Sequence, residues 1–454
     1  MASRLIGLLR RFSWTPLFLA FLVVSAPANA ASVIRDTEVE ALLHNLMAPV
    51  FKVAGLDPDD VRIYIVNNQQ LNAFVAGGQN IFVNTGLFIT AETPEQLQAV
   101  LAHETGHIAG GHLARGSQAM DRAGTQMIIG SILGLAAAVV GAPEVGMAML
   151  AGGMTVAQGE FLAFTRTQEQ SADQAAVTFL GRLHLPPDGL LQFFQILNTQ
   201  NNLLGGERGN PFLRSHPLTQ ERIDFLRTQV ARSPYEGRQL PSSDHVAFDR
   251  SRAKLDAYLS PPNQTLKKYA GNSLVDRYAQ AIAYYKIPDV KKSLSLIDEL
   301  IKENPSDPYF PEFKGQMLFE NGHVAESVQP FRDALRLKVD APLIRYALAR
   351  ALLEEQGGNN APEAAALLRD VTRVDPRNAS AWRSLGVAEG QIGNRGESAM
   401  ALAEYALLIR NYDDARLYVS RAKAAVPPES ASYYRVEDLE RAVNDLRDDL
   451  RRNR

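Results

Sequence analysis

Apolar and polar positions alternate with a helical period on either side of one short stretch of strand-like runs. Between Asp36 and Val53, apolar residues recur at Val39, Leu42, Leu43, Leu46 and Met47, the spacing of one helix face, with Asp36 near the start. Three short runs follow: Val61 to Val66, Leu71 to Val75 and Asn80 to Asn84, separated by Asn67-Asn68-Gln69 and Gly77-Gly78. They predict a small antiparallel β-sheet. Thr93-Pro94-Glu95-Gln96 then has the form of a capping box with proline at the first helical position, and Leu97, Val100, Leu101 and Ile108 form the apolar stripe of the helix it opens. Further helices are predicted from about Ala157 to Gly181 and from Leu218 to Val230.

Two segments, Met127 to Val140 and Val145 to Ala157, are nearly uncharged and rich in glycine and alanine. Each is well short of the roughly eighteen apolar residues that signal a membrane span. They read as a helical hairpin that packs over a site or rests against a membrane surface, or as one buried in the core. Gly205 to Pro217 and Ser233 to Pro262 break the helical pattern, and the second break, 233–262, is the expected linker between domains. Beyond it the pattern is helical throughout and its punctuation repeats. Asn304-Pro305, Val339-Asp340 and Asp375-Pro376 recur at spacings of 35 and 36 residues, close to the tetratricopeptide period. Asn411 to Pro427 resembles a closing helix, and the charged stretch Glu437 to Arg454 a solvated capping helix. The expected fold is mainly α: a helical catalytic domain with a small sheet over 31–232, then an α-solenoid over 263–454.

Composition refines this picture at two points. The first thirty residues, with Arg4, Arg10 and Arg11, an apolar run from Trp14 to about Val24 and Ala28-Asn29-Ala30, read as a secretory signal (1–30) with the mature chain starting at Ala31. The 454 residues contain no cysteine, so neither disulfides nor a lipidated N-terminal cysteine is available, and the expected location is the periplasm of a bacterium. Without the three leader arginines the chain has 44 basic against 50 acidic side chains, a balance that argues against nucleic acid as a partner.

Candidate chemistry is concentrated in Leu101-Ala102-His103-Glu104-Thr105-Gly106-His107-Ile108-Ala109. Residues four apart share a helix face, so His103 and His107 can offer ring nitrogens to one Zn2+, one ion per chain, with Glu104 at its edge. Zinc lowers the pKa of a water towards about 7, and a neighbouring carboxylate can take its proton as it attacks a carbonyl. A third ligand is needed. His112 is one residue short of the metzincin spacing, where Leu113 stands, so it reads as a residue behind the ligands or a packing residue. Glu169 and Asp173, four apart in Arg166-Thr167-Gln168-Glu169-Gln170-Ser171-Ala172-Asp173, are the better candidates: one can ligate and the other orient a first-helix histidine.

H-E-x-G-H-x-x-x-x-H followed by E-x-x-A-D resembles the gluzincin metallopeptidases of the HtpX and CAAX prenyl protease kind, over roughly Asp36 to Val230. The resemblance implies His103, His107 and Glu169 as ligands, Glu104 as general base and Asp173 beside a ligand histidine. It extends to Ser215-His216-Pro217 and Arg222. Three roles are open to His216: an inhibitory fourth ligand, as in exported relatives with a repeat tail; a donor to the oxyanion; or the end of a loop. Arg222 braces an acid such as Asp173 or is a surface residue. The strand Gln79, Asn80, Ile81, Phe82, Val83 and Asn84 is the candidate edge for an extended substrate, or else a structural hairpin.

The expected activity is zinc endopeptidase action, and the relatives by layout imply misfolded or stalled envelope and outer-membrane proteins as substrates, with the outer-membrane protein assembly machinery as a possible docking partner of the repeats. The alternative is a chaperone or scaffold for outer-membrane protein assembly, its zinc site silenced by His216.

Overall fold

The computed structural model describes residues 33–112, 166–203, 212–213, 216–355 and 360–452. The expected leader, 1–30, and the apolar pair 127–157 lie outside the described residues. Among the described residues no helix is long and apolar enough to cross a membrane.

Helix α1 (Thr37–Val53) buries Val39, Leu42, Leu43, Leu46, Met47, Val50 and Phe51, the predicted face, and Asp36 caps it by accepting from the amides of Glu38 and Val39. Helix α3 (Pro94–Ala109) starts as its sequence predicts, with Thr93 accepting from the Gln96 amide at 3.3 Å. The Gln96 side chain reaches one residue further back than a capping box requires and accepts from the Glu92 amide at 2.9 Å.

The sheet corrects the expected antiparallel arrangement. Strands β1 (Val33–Ile34), β2 (Arg62–Val66), β3 (Ala73–Ala76) and β4 (Asn80–Asn84) lie in the order β1-β2-β4-β3, and the β2–β4 pairing is parallel. Only β3–β4 is the expected hairpin, closed through Gly77 and Gly78, both at positive φ. The reason is the 67–72 loop, which crosses two strand spacings, roughly 10 Å, over the end of β4. Thr85 Oγ1 donates to the Asn68 carbonyl at 3.0 Å and Asn84 Nδ2 to that of Gln70 at 3.1 Å. Gly86 in the short helix α2 (Thr85–Thr90) admits the crossing, since a Cβ there would lie 2.1 Å from the Gln69 carbonyl oxygen. Strand β4 is therefore paired on both sides, so Gln79 to Asn84 is not an edge. Among the described residues the edges are β1 and β3, and β3 packs beside α3.

A fourth helix, α4, runs over 166–182, followed by α5 (Asp188–Leu203) and α6 (Gln220–Arg232). The expected linker 233–262 is mostly structure: α7 (Ser242–Leu259) fills its second half. Phe248 and Leu255 join the catalytic core, Phe248 stacking on Phe88 with ring centroids 5.7 Å apart. Ala253 and Ala257 join the core of the first repeat with Tyr278, Ile282, Phe310 and Phe313. Polar side chains of α7 drew the sequence reading astray because they are buried in pairs. Arg250 lies 2.8 Å from Glu38 and over the Phe310 ring at 4.5 Å, and Lys254 Nζ is 2.7 Å from Asp36.

After α8 (Pro262–Lys268), the repeats form four antiparallel helix pairs: α9 (Leu274–Lys286) with α10 (Val290–Glu303), α11 (Tyr309–Glu320) with α12 (Val324–Leu337), α13 (Pro342–Glu354) with α14 (Ala361–Val374), and α15 (Ala379–Gln391) with α16 (Arg395–Leu408). Helix α17 (Tyr412–Ala425) closes the array as expected. Helix α18 (Ala431–Arg452) begins before the expected charged stretch and is not merely solvated, since Val436, Leu439, Val443 and Leu446 are buried. Arg35 reaches Asp375 at 2.9 Å, and a cleft of about 850 Å³ lined by α1, β2 and the turns of the repeats separates the two halves there.

Glu312 on α11 accepts from Thr37 Oγ1, while its Oε2 is buried without a partner. Burial outweighs the attraction of Lys254, and with Asp36 nearby it pushes this carboxyl up to about 8. The folded protein thus holds the Glu312 proton more tightly than the unfolded chain, a stabilisation complete below about pH 4.5 and lost as pH rises through 8. The melting temperature is expected to fall between pH 6 and pH 9, and Glu312→Gln to flatten that slope in thermal unfolding scans.

Candidate metal centre

Two helices and one loop bring the predicted residues together. Gly106 lets α3 lie against α4, since a Cβ there would stand 3.0 Å from the Ala172 backbone. His103 and His107 on α3 then face Glu169 on α4, and the segment from Phe212 to α6 brings in His216, whose amide donates to the Phe212 carbonyl at 2.7 Å. All four side chains are buried, and one ligand atom from each lies within 4.8 Å of the others.

The spacing of these atoms fits a metal ion. Tetrahedral zinc with ligand bonds of about 2.0–2.2 Å separates its ligand atoms by about 3.3–3.6 Å. His103 Nε2 and His107 Nε2 are 3.1 Å apart, each is 3.4 Å from a Glu169 oxygen, and His216 Nδ1 is 3.4 Å from His103 Nε2 and 3.1 Å from Glu169.

The surrounding charges hold the ligands in place. His103 Nδ1 donates to Asp173 Oδ1 at 2.9 Å, which turns Nε2 towards the cluster. Arg222 Nε and Nη2 donate to the two Asp173 oxygens at 2.6 and 2.8 Å. Its Nη1 lies 3.0 Å from Glu169 Oε2 and donates to the Pro217 carbonyl at 2.9 Å. Phe194 supports the guanidinium, 4.8 Å from ring centroid to Cζ.

Burial lowers the His103 pKa, but its bonds to Asp173 and Glu169 outweigh this and raise it to about 10; burial takes His107 down to about 4. Glu169 and Asp173 are both lowered despite burial, Glu169 by the histidines and Asp173 by Arg222 and His103. These residues fit a cation: His103 would exchange its Nε2 proton for the ion, and Glu169 would meet it already ionised.

Glu104 differs from the other acids. Both its oxygens are buried without a hydrogen-bond partner, and burial raises its pKa against the pull of His216 and His103. His216 Nε2 is 3.6 Å from Glu104 Oε1.

His112 lies behind His107, the two Nδ1 atoms 2.9 Å apart. The edge expected at Gln79 to Asn84 is not assembled here, because β4 is internal to the sheet and β3 stands between it and open edge. Sequence reasoning missed the Pro217 carbonyl and Phe194. Neither carries a motif, although proline after His216 was a visible sign of fixed backbone.

Residues 34–230 match the family model "Peptidase family M48", and residues 278–342 and 346–401 match a model described as "Tetratricopeptide repeat". The beta-barrel assembly-enhancing protease of Yersinia pestis is 27% identical over 398 residues, 86% of this chain and 78% of the relative. That of Escherichia coli (strain K12) is 25% identical over 409 residues, 88% of this chain and 81% of the relative. Protease HtpX of Psychrobacter sp. (strain PRwf-1) is 27% identical over 239 residues, 45% of this chain and 73% of the relative.

Removing Arg222 takes from buried Asp173 the larger of the two partners that keep it ionised, and from Glu169 a contact at 3.0 Å. Arg222→Met is expected to cost about 3–5 kcal/mol in denaturant unfolding of the metal-free protein.

Proposed function

We propose, from the premise that residues 34–230 are a Peptidase family M48 domain, that this metallopeptidase is a zinc endopeptidase of the bacterial periplasm acting on misfolded or stalled envelope proteins. The observation that carries the proposal is Glu104: a buried carboxylate whose oxygens have no hydrogen-bond partner among the described residues, next to four convergent ligand atoms. A buried acid without a partner is costly to fold around, and general-base chemistry gives it a use.

His103, His107 and Glu169 are the residues that would hold zinc, which when bound would polarise the scissile carbonyl and lower the pKa of the attacking water. Glu104 takes the proton of that water and returns it to the leaving amine. Asp173 and Arg222 keep His103 and Glu169 in register throughout. Strand β3 takes the place first expected of Gln79 to Asn84: it is an edge beside α3 and can bind an extended substrate through its backbone.

His216 supports a closed resting state. Its ring stands between the ligand cluster and Glu104, where a substrate carbonyl would have to enter, so of its three roles we favour the inhibitory fourth ligand. The same contact supports a second reading, in which the site is largely silent and the repeats act as a scaffold for outer-membrane protein assembly. The periplasmic location is supported by the leader pattern in 1–30. The substrate class is supported by the relatives' name, and substrate capture by the cleft between α1, β2 and the repeats.

Cleavage of an unfolded model protein by the zinc-loaded mature chain tests both readings. Glu104→Gln is expected to lower turnover by about 10²-fold or more and His216→Ala to raise it. Absence of cleavage by wild type and His216→Ala alike would count against the protease reading and for the scaffold.

A further inference from the structure

His103 orients its metal-facing nitrogen through an acid, Asp173. His107 Nδ1 meets no acid among the described residues: it faces His112 Nδ1 at 2.9 Å, with the rings edge to face at 79°. Two ring nitrogens at that distance share one hydrogen. To hold a metal through Nε2, 3.1 Å from His103 Nε2 and 3.4 Å from Glu169, His107 would leave that nitrogen bare, so the hydrogen would sit on its Nδ1 and the His112 nitrogen would accept it.

The backbone is shaped for this contact. Helix α3 stops at Ala109, and Gly111, at φ +62°, turns the chain back instead of continuing the helix. Gly110 leaves room for the returning ring, since a Cβ there would lie 2.4 Å from His112 Nε2 and 2.8 Å from its Cδ2. The His112 carbonyl accepts from Gln168 Nε2 at 3.2 Å, which ties the turn to the residue beside Glu169. His112 itself is only 4% exposed.

We propose that His112 is a positioning residue of the metal site, fixing the tautomer and ring plane of His107 by accepting its Nδ1 hydrogen. The inference rests on the metal-site reading above.

The test uses the full mature chain and measures zinc affinity by competition with a chromophoric chelator, together with the visible spectrum of the cobalt-substituted protein. His112→Phe keeps an aromatic ring and removes the acceptor; His112→Asn keeps an acceptor. The phenylalanine variant is expected to bind zinc about 10–100-fold more weakly and to shift the cobalt bands, with the metal-free melting temperature near wild type, and the asparagine variant to recover part of the affinity. Wild-type affinity and spectrum in His112→Phe would overturn the proposal in favour of packing alone. Equal losses in both variants, with metal-free melting lowered in both, would overturn it in favour of a structural role. His107→Ala is the control: if it binds zinc as tightly as wild type, the metal-site reading fails and the proposal with it.

Discussion

Asp173 is kept ionised in its buried place by Arg222 and His103, and Glu169 by the histidines, with Arg222 Nη1 3.0 Å from its Oε2. One guanidinium bridges both carboxylates and the carbonyl of Pro217, so the helix that carries the acids, the loop that carries His216 and the histidines on α3 share a single electrostatic anchor. A buried ion cluster of this kind is weak evidence for stability but fixes geometry strongly, because each member is costly to leave unpaired. The positions of His103 through Asp173, of Glu169 directly and of His216 through its loop follow from it.

A second cluster does for the two halves of the chain what Arg222 does for the site. Glu38 at the start of α1 is met by Arg250 and by the Tyr278 hydroxyl, and Lys254 is held by Asp36. These contacts join the N-terminal end of α1 to α7 and to the first repeat.

Much of this was legible in the residues. The helix faces of α1 and α3, the cap at Thr93, the approach of His103, His107 and Glu169 and the repeat spacing all depend on local period or on motif residues, which a sequence displays directly. The parallel β2–β4 pairing was hidden because it depends on where the 67–72 loop lies, and that is decided by the distant Asn84, Thr85 and Gly86. Helix α7 was hidden for a different reason: its charged residues look solvated until their partners on α1 and α11 are known. His112 was legible as a residue behind the ligands, but its contact with His107 was not, since a spacing argument that continues the helix cannot anticipate the reversal at Gly111.

Because α7 contributes Phe248 and Leu255 to one core and Ala253 and Ala257 to the other, the chain has no seam at which it can be divided. Grafting these repeats onto another enzyme would mean carrying α7 across, and the recipient would have to supply its own version of the α1 surface that covers Arg250 and Lys254. In modular terms the repeats are not an accessory appended to a finished catalytic unit; the helix that begins them is also a wall of that unit.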